Sequence, residues 1–273
     1  MTINIDLLKE AARQLDIPFT MINGTSYFME FELAGKPYYF CWGAHPYNSS
    51  VQTEIFKDKN LCHELLQDIV QMPPSKTFYK GAETTDEIVQ DVEARYGYPM
   101  IVKPCNGTLA KDVRFCTNAE EVKCAVDTIF YNHNNKSESK NIEEELLIQP
   151  YIDHKKEYRM VYFYGEIVLI YHRDYTFDEA GRLKKIKIVI EDDKALEKKL
   201  LDFVQPAIDL LNIDYTGFDL FVQHESEGGN CFLIELNSFP LFRVVSEYDY
   251  DSTIEIFKKM LLIFKSRVES GVI

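Results

Sequence analysis

The spacing of apolar residues along the chain predicts alternating helices and strands. Residues 3–15 carry apolar side chains three or four positions apart, which is the repeat of an amphipathic helix. Two apolar runs, 17–23 and 26–43, predict strands, and the second predicts a hairpin that turns at residues 34–37. Similar patterns predict helices at 59–70, 83–97, 117–132, 192–212 and 251–269, with strands at 98–104, 146–152, 157–175, 184–190, 216–223 and 231–237.

The order of these elements indicates the fold class. Strands and helices are mixed and several strand pairs form hairpins, without the regular strand–helix–strand succession of a doubly wound sheet. We therefore predict an α+β protein with sheets built in separate subdomains. At 273 residues, the chain is long enough for one large domain or two modest ones.

Composition narrows the class of partner. The formal net charge is -14, which argues against duplex nucleic acid or an anionic membrane surface as a partner, since both need a basic surface. Six cysteines occur without a C-x-x-C pair, which argues against a zinc knuckle or a disulfide framework. No run of about 18 apolar residues and no signal-peptide pattern is present. We expect a cytoplasmic protein.

A carboxylate and an amide share one face of the strand within FLIELNSFP, residues 232–240. Glu235 and Asn237 are two positions apart, so their side chains point to the same side of the strand. If the preceding turn centres on Glu227, Asp219 lies opposite Glu235. Two carboxylates and an amide suit magnesium, which prefers oxygen ligands and leaves positions for phosphate oxygens. A solvent-facing strand without metal, or a register shifted by one residue, is the alternative.

A lysine ends the apolar strand YPMIVKP. Lys103 is followed by Pro104 and a loop with Gly107, where a lysine can reach a phosphate while loop amides donate further hydrogen bonds. A surface lysine that packs its aliphatic part on the strand is the alternative.

Five segments in this order resemble the ATP-grasp superfamily of carboxylate–amine ligases. They are KDKNLCHELL, PMIVKPCNGT, LLIQPYIDHKKEYRMVYFYGEIVLIYHRDY, TGFDLFV and FLIELNSFP. The resemblance spans about residues 55–265 and is closest to the ATP-grasp region of cyanophycin synthetase and the glutathione and glutamate ligases. It implies an ATP-grasp fold in which two α+β subdomains grip ATP between them. We expect a short N-terminal segment at 1–55 and an ATP-grasp domain at 56–273, with subdomains at about 75–150 and 151–273.

The resemblance also implies roles for individual residues. Lys59 and Lys103 match residues that contact the nucleotide phosphates, and Arg173 matches the residue that steadies the transferred phosphate. The implied cofactor-binding set also includes Gly107, Gln149, Tyr151, Ile152 and Glu157, and the implied magnesium ligands are Asp219, Glu235 and Asn237. The implied enzyme is an ATP- and magnesium-dependent ligase that forms an amide or peptide bond through an acyl-phosphate, with an amino acid or peptide as substrate.

One departure from the family pattern leaves a second function open. Phosphate loops of the family usually carry several glycines, whereas residues 105–113 keep only Gly107, with Ala110 and Asp112 where glycines are common and Lys111 as a possible compensating charge. A catalytically weak ATP-binding regulatory or scaffold protein is therefore the alternative, and a small-molecule kinase is a third reading.

The acceptor site is less defined by the sequence. Arg159 and Arg243 are candidates for holding a substrate carboxylate, with Arg243 slightly ahead, and each has a surface ion pair as its alternative. Phe239, Phe242 and Tyr248 could line an acceptor pocket, or pack in the core. Because about 55 residues precede the DK motif, fewer than a full substrate-binding domain, we expect a homodimer, a partner subunit or the peptide substrate to complete this site.

Overall fold

The computed structural model describes residues 3–41, 44–106, 112–131, 144–154, 156–177, 183–223 and 230–273. Its helices are α1 Ile3–Gln14, α2 Ser50–Lys57, α3 Lys59–Leu66, α4 Thr85–Tyr96, α5 Ala119–Tyr131, α6 Lys194–Leu211, α7 Arg243–Tyr248 and α8 Tyr250–Glu269. Its strands are β1 Phe19–Met21, β2 Phe28–Leu33, β3 Lys36–Cys41, β4 Lys76–Tyr79, β5 Met100–Pro104, β6 Arg114–Cys116, β7 Glu145–Pro150, β8 Lys156–Phe163, β9 Glu166–Phe177, β10 Leu183–Ile190, β11 Tyr215–Val222 and β12 Cys231–Asn237.

Local sequence signals account for several of these elements. Thr84 caps α4 and forms a capping box with Glu87, which satisfies amide groups at the start of the helix. Ala34 and Gly35 both adopt positive φ angles, 50° and 74°, so the chain reverses in two residues between β2 and β3. Lys36 and Pro37, which we expected in the turn, belong to β3. The mixture of helices and antiparallel sheets confirms the α+β class.

Three sheets are present among the described residues. One has the order β1-β2-β3, a second β4-β7-β5-β6, and a third β10-β9-β8-β11-β12. Neighbouring strands of the first two sheets pair antiparallel, as do β8, β9 and β10 in the third. No helix in the described ranges is long and apolar enough to cross a membrane.

The chain forms two compact units. Unit 1 comprises Met1–Thr53, Lys156–Leu220 and Asn237–Ile273, and unit 2 comprises Glu54–Lys155 and Phe221–Leu236. The chain changes unit after Thr53, Lys155, Leu220 and Leu236, and the N-terminal residues belong to the same unit as the C-terminal helix. The expected subdomain limits themselves stay a prediction.

Each unit has its own core. In unit 1, buried side chains of α1 and α8 pack with those of β2, β3, β8 and β9, and Phe31, Phe163 and Phe264 are fully buried. In unit 2, α4 and α5 cover the four-stranded sheet, with Phe78, Val102 and Ile148 in the interior.

Candidate active site

Five polar or aromatic side chains of unit 1 line one small pocket. Glu157 and Arg159 lie two apart on β8, Tyr171 and Arg173 lie two apart on β9, and Asp219 lies on β11. Alternation along a strand places residues two apart on one face, and the register sets Arg159 opposite Tyr171. The sheet therefore brings together three residues that the motifs placed in the site, one substrate candidate, and Tyr171, which the sequence reasoning missed although its spacing from Arg173 was visible.

Arg159 and Asp219 form a two-point ion pair within this pocket. Nε of Arg159 donates to Oδ1 of Asp219, and Nη2 donates to Oδ2 at 2.7 Å. Only 16% of the Arg159 side chain and 9% of the Asp219 side chain are exposed to solvent. The ion pair of Arg159 is thus largely buried, unlike the surface ion pair that was its alternative, and it lies inside the predicted site and involves a predicted metal ligand.

A glycine makes room for this arginine. A Cβ atom added to Gly217 would lie 3.2 Å from Cδ of Arg159 and 3.0 Å from Cγ of Pro240. Such distances are shorter than ordinary van der Waals contact. The glycine of TGFDLFV therefore allows the stem of Arg159 to pack closely against β11, which also carries Asp219.

Asp219 and Asn237 are the two predicted magnesium ligands that lie in unit 1. Nδ2 of Asn237 donates to the Gly217 carbonyl at 3.3 Å and lies 3.4 Å from Oδ2 of Asp219. These contacts use the amide nitrogen, so the amide oxygen is the atom of Asn237 suited to a cation, and Oδ2 of Asp219 accepts from both Arg159 and Asn237. The donor chemistry fits magnesium. No cluster of three or more His, Cys, Asp or Glu residues suited to a metal occurs in the described ranges.

His172 lies on β9 between the pocket residues Tyr171 and Arg173, and it contacts a carboxylate. It is buried, and its Nδ1 lies 2.6 Å from Oε1 of Glu191, which also lies 3.9 Å from Nζ of Lys156. These contacts favour a structural role for His172 over phosphate binding.

In unit 2, backbone contacts hold the two lysine motifs together. The amide of Lys59 donates to the Cys105 carbonyl at 3.2 Å, and Asp58 forms a bridge with Asn106. Asp58 also caps α3 by accepting from the Leu61 amide. The first residue of α3 is therefore hydrogen-bonded to the segment that directly follows Lys103. Lys103 itself is 5% exposed.

A predicted metal ligand lies next to one of these lysines. Oε2 of Glu235 is 3.5 Å from Nζ of Lys59, and the two side chains are 27% and 12% exposed. The contact brings a carboxylate from FLIELNSFP to the DK motif within unit 2.

Two cysteines near the lysines are not suited to nucleophilic catalysis. Burial raises the pKa of the Cys62 thiol to about 12 and that of the Cys105 thiol to about 12. Both thiols therefore stay protonated at neutral pH, and a thiol must ionise to act as a nucleophile. This agrees with chemistry that relies on positioning and charge.

The expected adenine-binding segment has partners for some of its backbone groups. The Tyr151 amide donates to the Pro99 carbonyl at 2.9 Å, and the Ile152 carbonyl lies 2.8 Å from Nδ1 of His154. Gln149 is 6% exposed and accepts from Ser75 at 3.4 Å. Adenine would need other backbone atoms here, or the second lone pair of the Ile152 carbonyl.

The acceptor-site candidates other than Arg159 form surface or core contacts. Arg243 is 72% exposed and pairs with Glu247 one turn along α7 at 2.8 Å, which is the surface ion pair considered as its alternative. Phe242 is buried against Phe257, and Tyr248 is 55% exposed. Gly107 lies outside the described residues.

The sequence of the chain is similar to one known protein family. A family model described as a RimK-like ATP-grasp domain matches residues 56–263. No curated protein sequence matches the chain significantly.

Solved structures with a similar fold have low sequence identity to the chain. A D-alanine–D-alanine ligase from Bacillus anthracis has a TM-score of 0.56 and 17% identity over 79% of this chain and 70% of that one. The VanG D-Ala:D-Ser ligase from Enterococcus faecalis has a TM-score of 0.60 and 19% identity over 78% and 62%. The ATP-grasp ligase PsnB, solved with a minimal precursor, has a TM-score of 0.51 and 18% identity over 77% and 63%. This chain thus spans less than two thirds of the latter two proteins.

Proposed function

Since the chain belongs to the RimK-like ATP-grasp family through residues 56–263, we propose that it is an ATP- and magnesium-dependent ligase that joins a carboxylate to an amine. The match confirms the resemblance and the fold expected from the five motifs. The activity is inferred from the residues that these motifs contribute.

The observation that carries the proposal is the pocket of unit 1. Arg159, Arg173, Glu157 and Asp219 line it together. Two guanidinium groups suit phosphate oxygens, because their planar donors pair with two oxygens at once. Glu157 is proposed to bind the ribose hydroxyls, as the resemblance implies. Arg173 is proposed to hold the transferring phosphoryl group, and Arg159 is proposed to contact a substrate carboxylate or phosphate while it also orients Asp219.

Unit 2 is proposed to contribute cations and a nucleotide-binding segment. Lys59 and Lys103 would bind phosphate oxygens, and the tie between Lys59 and Cys105 supports their acting in one place. Gly107 would approach the phosphates through its backbone. Gln149, Tyr151 and Ile152 would contact adenine.

The proposed reaction needs no protein nucleophile. An oxygen of the substrate carboxylate attacks the γ-phosphorus, the bond to the β-γ bridging oxygen breaks, and ADP leaves with an acyl-phosphate formed. The amine nitrogen then attacks the acyl carbon, phosphate leaves, and the nitrogen loses a proton to give the amide. Such a reaction depends on alignment and charge neutralisation. Asp219, Glu235 and Asn237 would hold magnesium, which when bound neutralises phosphate charge.

The substrate is proposed to be an amino acid or a peptide. The named neighbours include ligases for D-alanine and D-serine and one ligase solved with a precursor. These names support testing a panel of L- and D-amino acids, dipeptides and longer peptides as substrates. If part of the acceptor site lies outside this chain, the chain is proposed to act as a homodimer or with a partner subunit.

ADP release across that panel, with substrates alone and in pairs, tests the proposal. Glu235→Gln is the test variant, and Glu247→Gln is a matched control because that glutamate also pairs with a cation but is 61% exposed on α7. We expect release that requires a carboxylate and an amine together, is lost in Glu235→Gln and is kept in Glu247→Gln. Mass spectrometry of the product then distinguishes an amide from a phosphorylated substrate, and a phosphorylated product would establish a kinase instead.

A second variant tests the role of one residue. Arg173→Ala should lower the turnover rate by about 100-fold or more if its guanidinium stabilises the transferring phosphoryl group. Turnover within a few-fold of wild type would remove that role. ATP binding without release for any pair would favour the regulatory or scaffold function.

A further inference from the structure

Three side chains from the first 48 residues form hydrogen bonds with backbone at the ends of β11 and β12. The side chains are Asn4, His45 and Asn48. Their partners flank the predicted metal ligands Asp219 and Asn237, and all these residues belong to unit 1. None of the sequence motifs includes the three side chains.

Asn48 holds the first residue of β11 at two points. Its Nδ2 donates to the Tyr215 carbonyl at 2.7 Å, and its Oδ1 accepts from the Tyr215 amide at 3.1 Å. The side-chain amide thus pairs with both backbone groups of one residue, as a neighbouring strand would. This contact fixes the strand four residues before Asp219.

Asn4 holds the segment that follows β12 in the same two-point way. Its Nδ2 donates to the Pro240 carbonyl at 2.9 Å, and its Oδ1 accepts from the Phe242 amide at 3.2 Å. Asn4 is 4% exposed, so these bonds are shielded from water. Shielded polar groups are costly to leave without partners, which makes the contact hard to release.

His45 holds the residue directly after Asn237. Its Nε2 lies 3.0 Å from the Ser238 carbonyl, and its Nδ1 accepts from the Tyr47 amide at 3.3 Å. Since Nδ1 accepts, the neutral ring carries its proton on Nε2, which donates to the carbonyl. The ring is stacked on Phe239 and Tyr47, with centroids 5.7 and 4.9 Å away.

The two strand ends are also joined to each other. Oγ1 of Thr216 donates to the Asn237 carbonyl at 3.1 Å, and Nδ2 of Asn237 donates to the Gly217 carbonyl at 3.3 Å. These bonds couple the position of Asn237 to that of the β11 residues just before Asp219.

We propose that Asn4, His45 and Asn48 are positioning residues that set the spacing of Asp219 and Asn237 for a divalent cation. The inference rests on the proposed function, because it needs those two residues to be metal ligands. Ligands must be held to within about 0.5 Å of their bound positions, and partners outside the coordination shell supply that restraint. The N-terminal residues supply it from both flanks of the pair.

Binding of Mn²⁺ in the presence of a non-hydrolysable ATP analogue tests this, read by electron paramagnetic resonance and independent of turnover. We expect Asn48→Ala to weaken Mn²⁺ binding by about 10-fold or more. His45→Phe is the second variant, since it keeps an aromatic ring for stacking and removes the donor to Ser238 together with the acceptor for the Tyr47 amide.

Phe31→Leu is the matched control. Phe31 is fully buried in the N-terminal part of the core and its apolar side chain makes none of these hydrogen bonds, so it lowers stability without touching the strand ends. All proteins are measured well below their unfolding temperatures. Mn²⁺ affinity that falls in both test variants and stays within about 2-fold of wild type in Phe31→Leu supports positioning. Equal affinities in all four proteins, or equal losses in the three variants, would overturn it. A wild type that binds no Mn²⁺ would instead remove the metal site itself and the inference with it.

Discussion

The ion pair of Arg159 and Asp219 allows a quantitative prediction by double-mutant cycle. Arg159→Met keeps much of the aliphatic stem, and Asp219→Asn keeps the shape of the carboxylate, so each change removes charge with little loss of packing. Asp219→Asn alone should be strongly destabilising because it leaves a largely buried guanidinium without its carboxylate.

The structure sets the expected size of the coupling. The pair has two charge-assisted hydrogen bonds, and the side chains are 16% and 9% exposed, so water screens it little. We expect a coupling free energy of about 2–3 kcal/mol. Other contacts that each side chain makes cancel in the cycle, which is why the coupling rather than either single change is the quantity to measure.

An exposed pair in the same chain provides the control. Arg243 and Glu247 are also an arginine and a carboxylate, at 2.8 Å, but they are 72% and 61% exposed. The cycle of Arg243→Met and Glu247→Gln should give about 0.3–0.5 kcal/mol.

Urea unfolding of the wild type and the six variants, followed by circular dichroism, gives both couplings. If unit 1 and unit 2 unfold in separate transitions, the transition that changes in Asp219→Asn is the one used for both cycles, since both pairs lie in unit 1. A coupling for Arg159 and Asp219 no larger than that of the exposed pair would show that burial of this pair has been misjudged.

Three further predictions concern residues of unit 1. Burial lowers the pKa of His45 to about 4. As pH falls below about 6.5, His45 is therefore protonated in the unfolded state before it is protonated in the folded state. Between pH 6.5 and 4, the free energy of unfolding should drop by about 3 kcal/mol more in wild type than in His45→Gln. Equal losses of unfolding free energy in urea titrations would contradict this. Gly217→Ala should lower stability by about 1–3 kcal/mol, because the new Cβ would meet Pro240 at 3.0 Å and Arg159 at 3.2 Å; an unchanged melting temperature would mean that these groups move aside at no cost. Arg159→Met should tighten binding of Mn²⁺ in the absence of nucleotide, since Asp219 loses its neutralising partner. Calorimetry measures the Mn²⁺ affinity of this variant and of the control Arg243→Met, which should bind Mn²⁺ as wild type does.

Elements with strong local signals were predictable from the sequence. The capping box at Thr84 and the two-residue turn at Ala34 and Gly35 are encoded within a few positions. The helix predicted at 83–97 forms as Thr85–Tyr96, and the turn predicted at 34–37 is confined to Ala34 and Gly35. The missed helices α2 and α7 are short, with eight and six residues, and α2 buries only Phe56, so the apolar repeat had too few turns to register. The helix predicted at 59–70 ends at Leu66.

The site was predictable in its motifs but not in its pairings. The sequence analysis placed Arg243 slightly ahead of Arg159, and only the strand order, which sets β8 beside β11, distinguishes the buried pair from the exposed one. His45 and Asn48 carry no local signal, because their partners Ser238 and Tyr215 are more than 160 positions away. Such contacts depend on how unit 1 folds around its two sheets. The cross-strand match of Asp219 with Glu235, and the roles assigned to the site residues, stay predictions.

The charges in the unit 1 pocket explain why cation and nucleotide should bind together. Arg159 and Arg173 bring two positive charges to the pocket, and Glu157 and Asp219 bring two negative ones. A bare divalent cation would add uncompensated positive charge beside two guanidinium groups, and a bare triphosphate would add negative charge beside two carboxylates. Each ligand therefore relieves the repulsion that the other would meet, which amounts to a favourable coupling between them. On the proposed function, the pairing of Arg159 with Asp219 would balance one charge of each sign until both ligands bind, and removing Arg159 should weaken this coupling while it tightens binding of the cation alone.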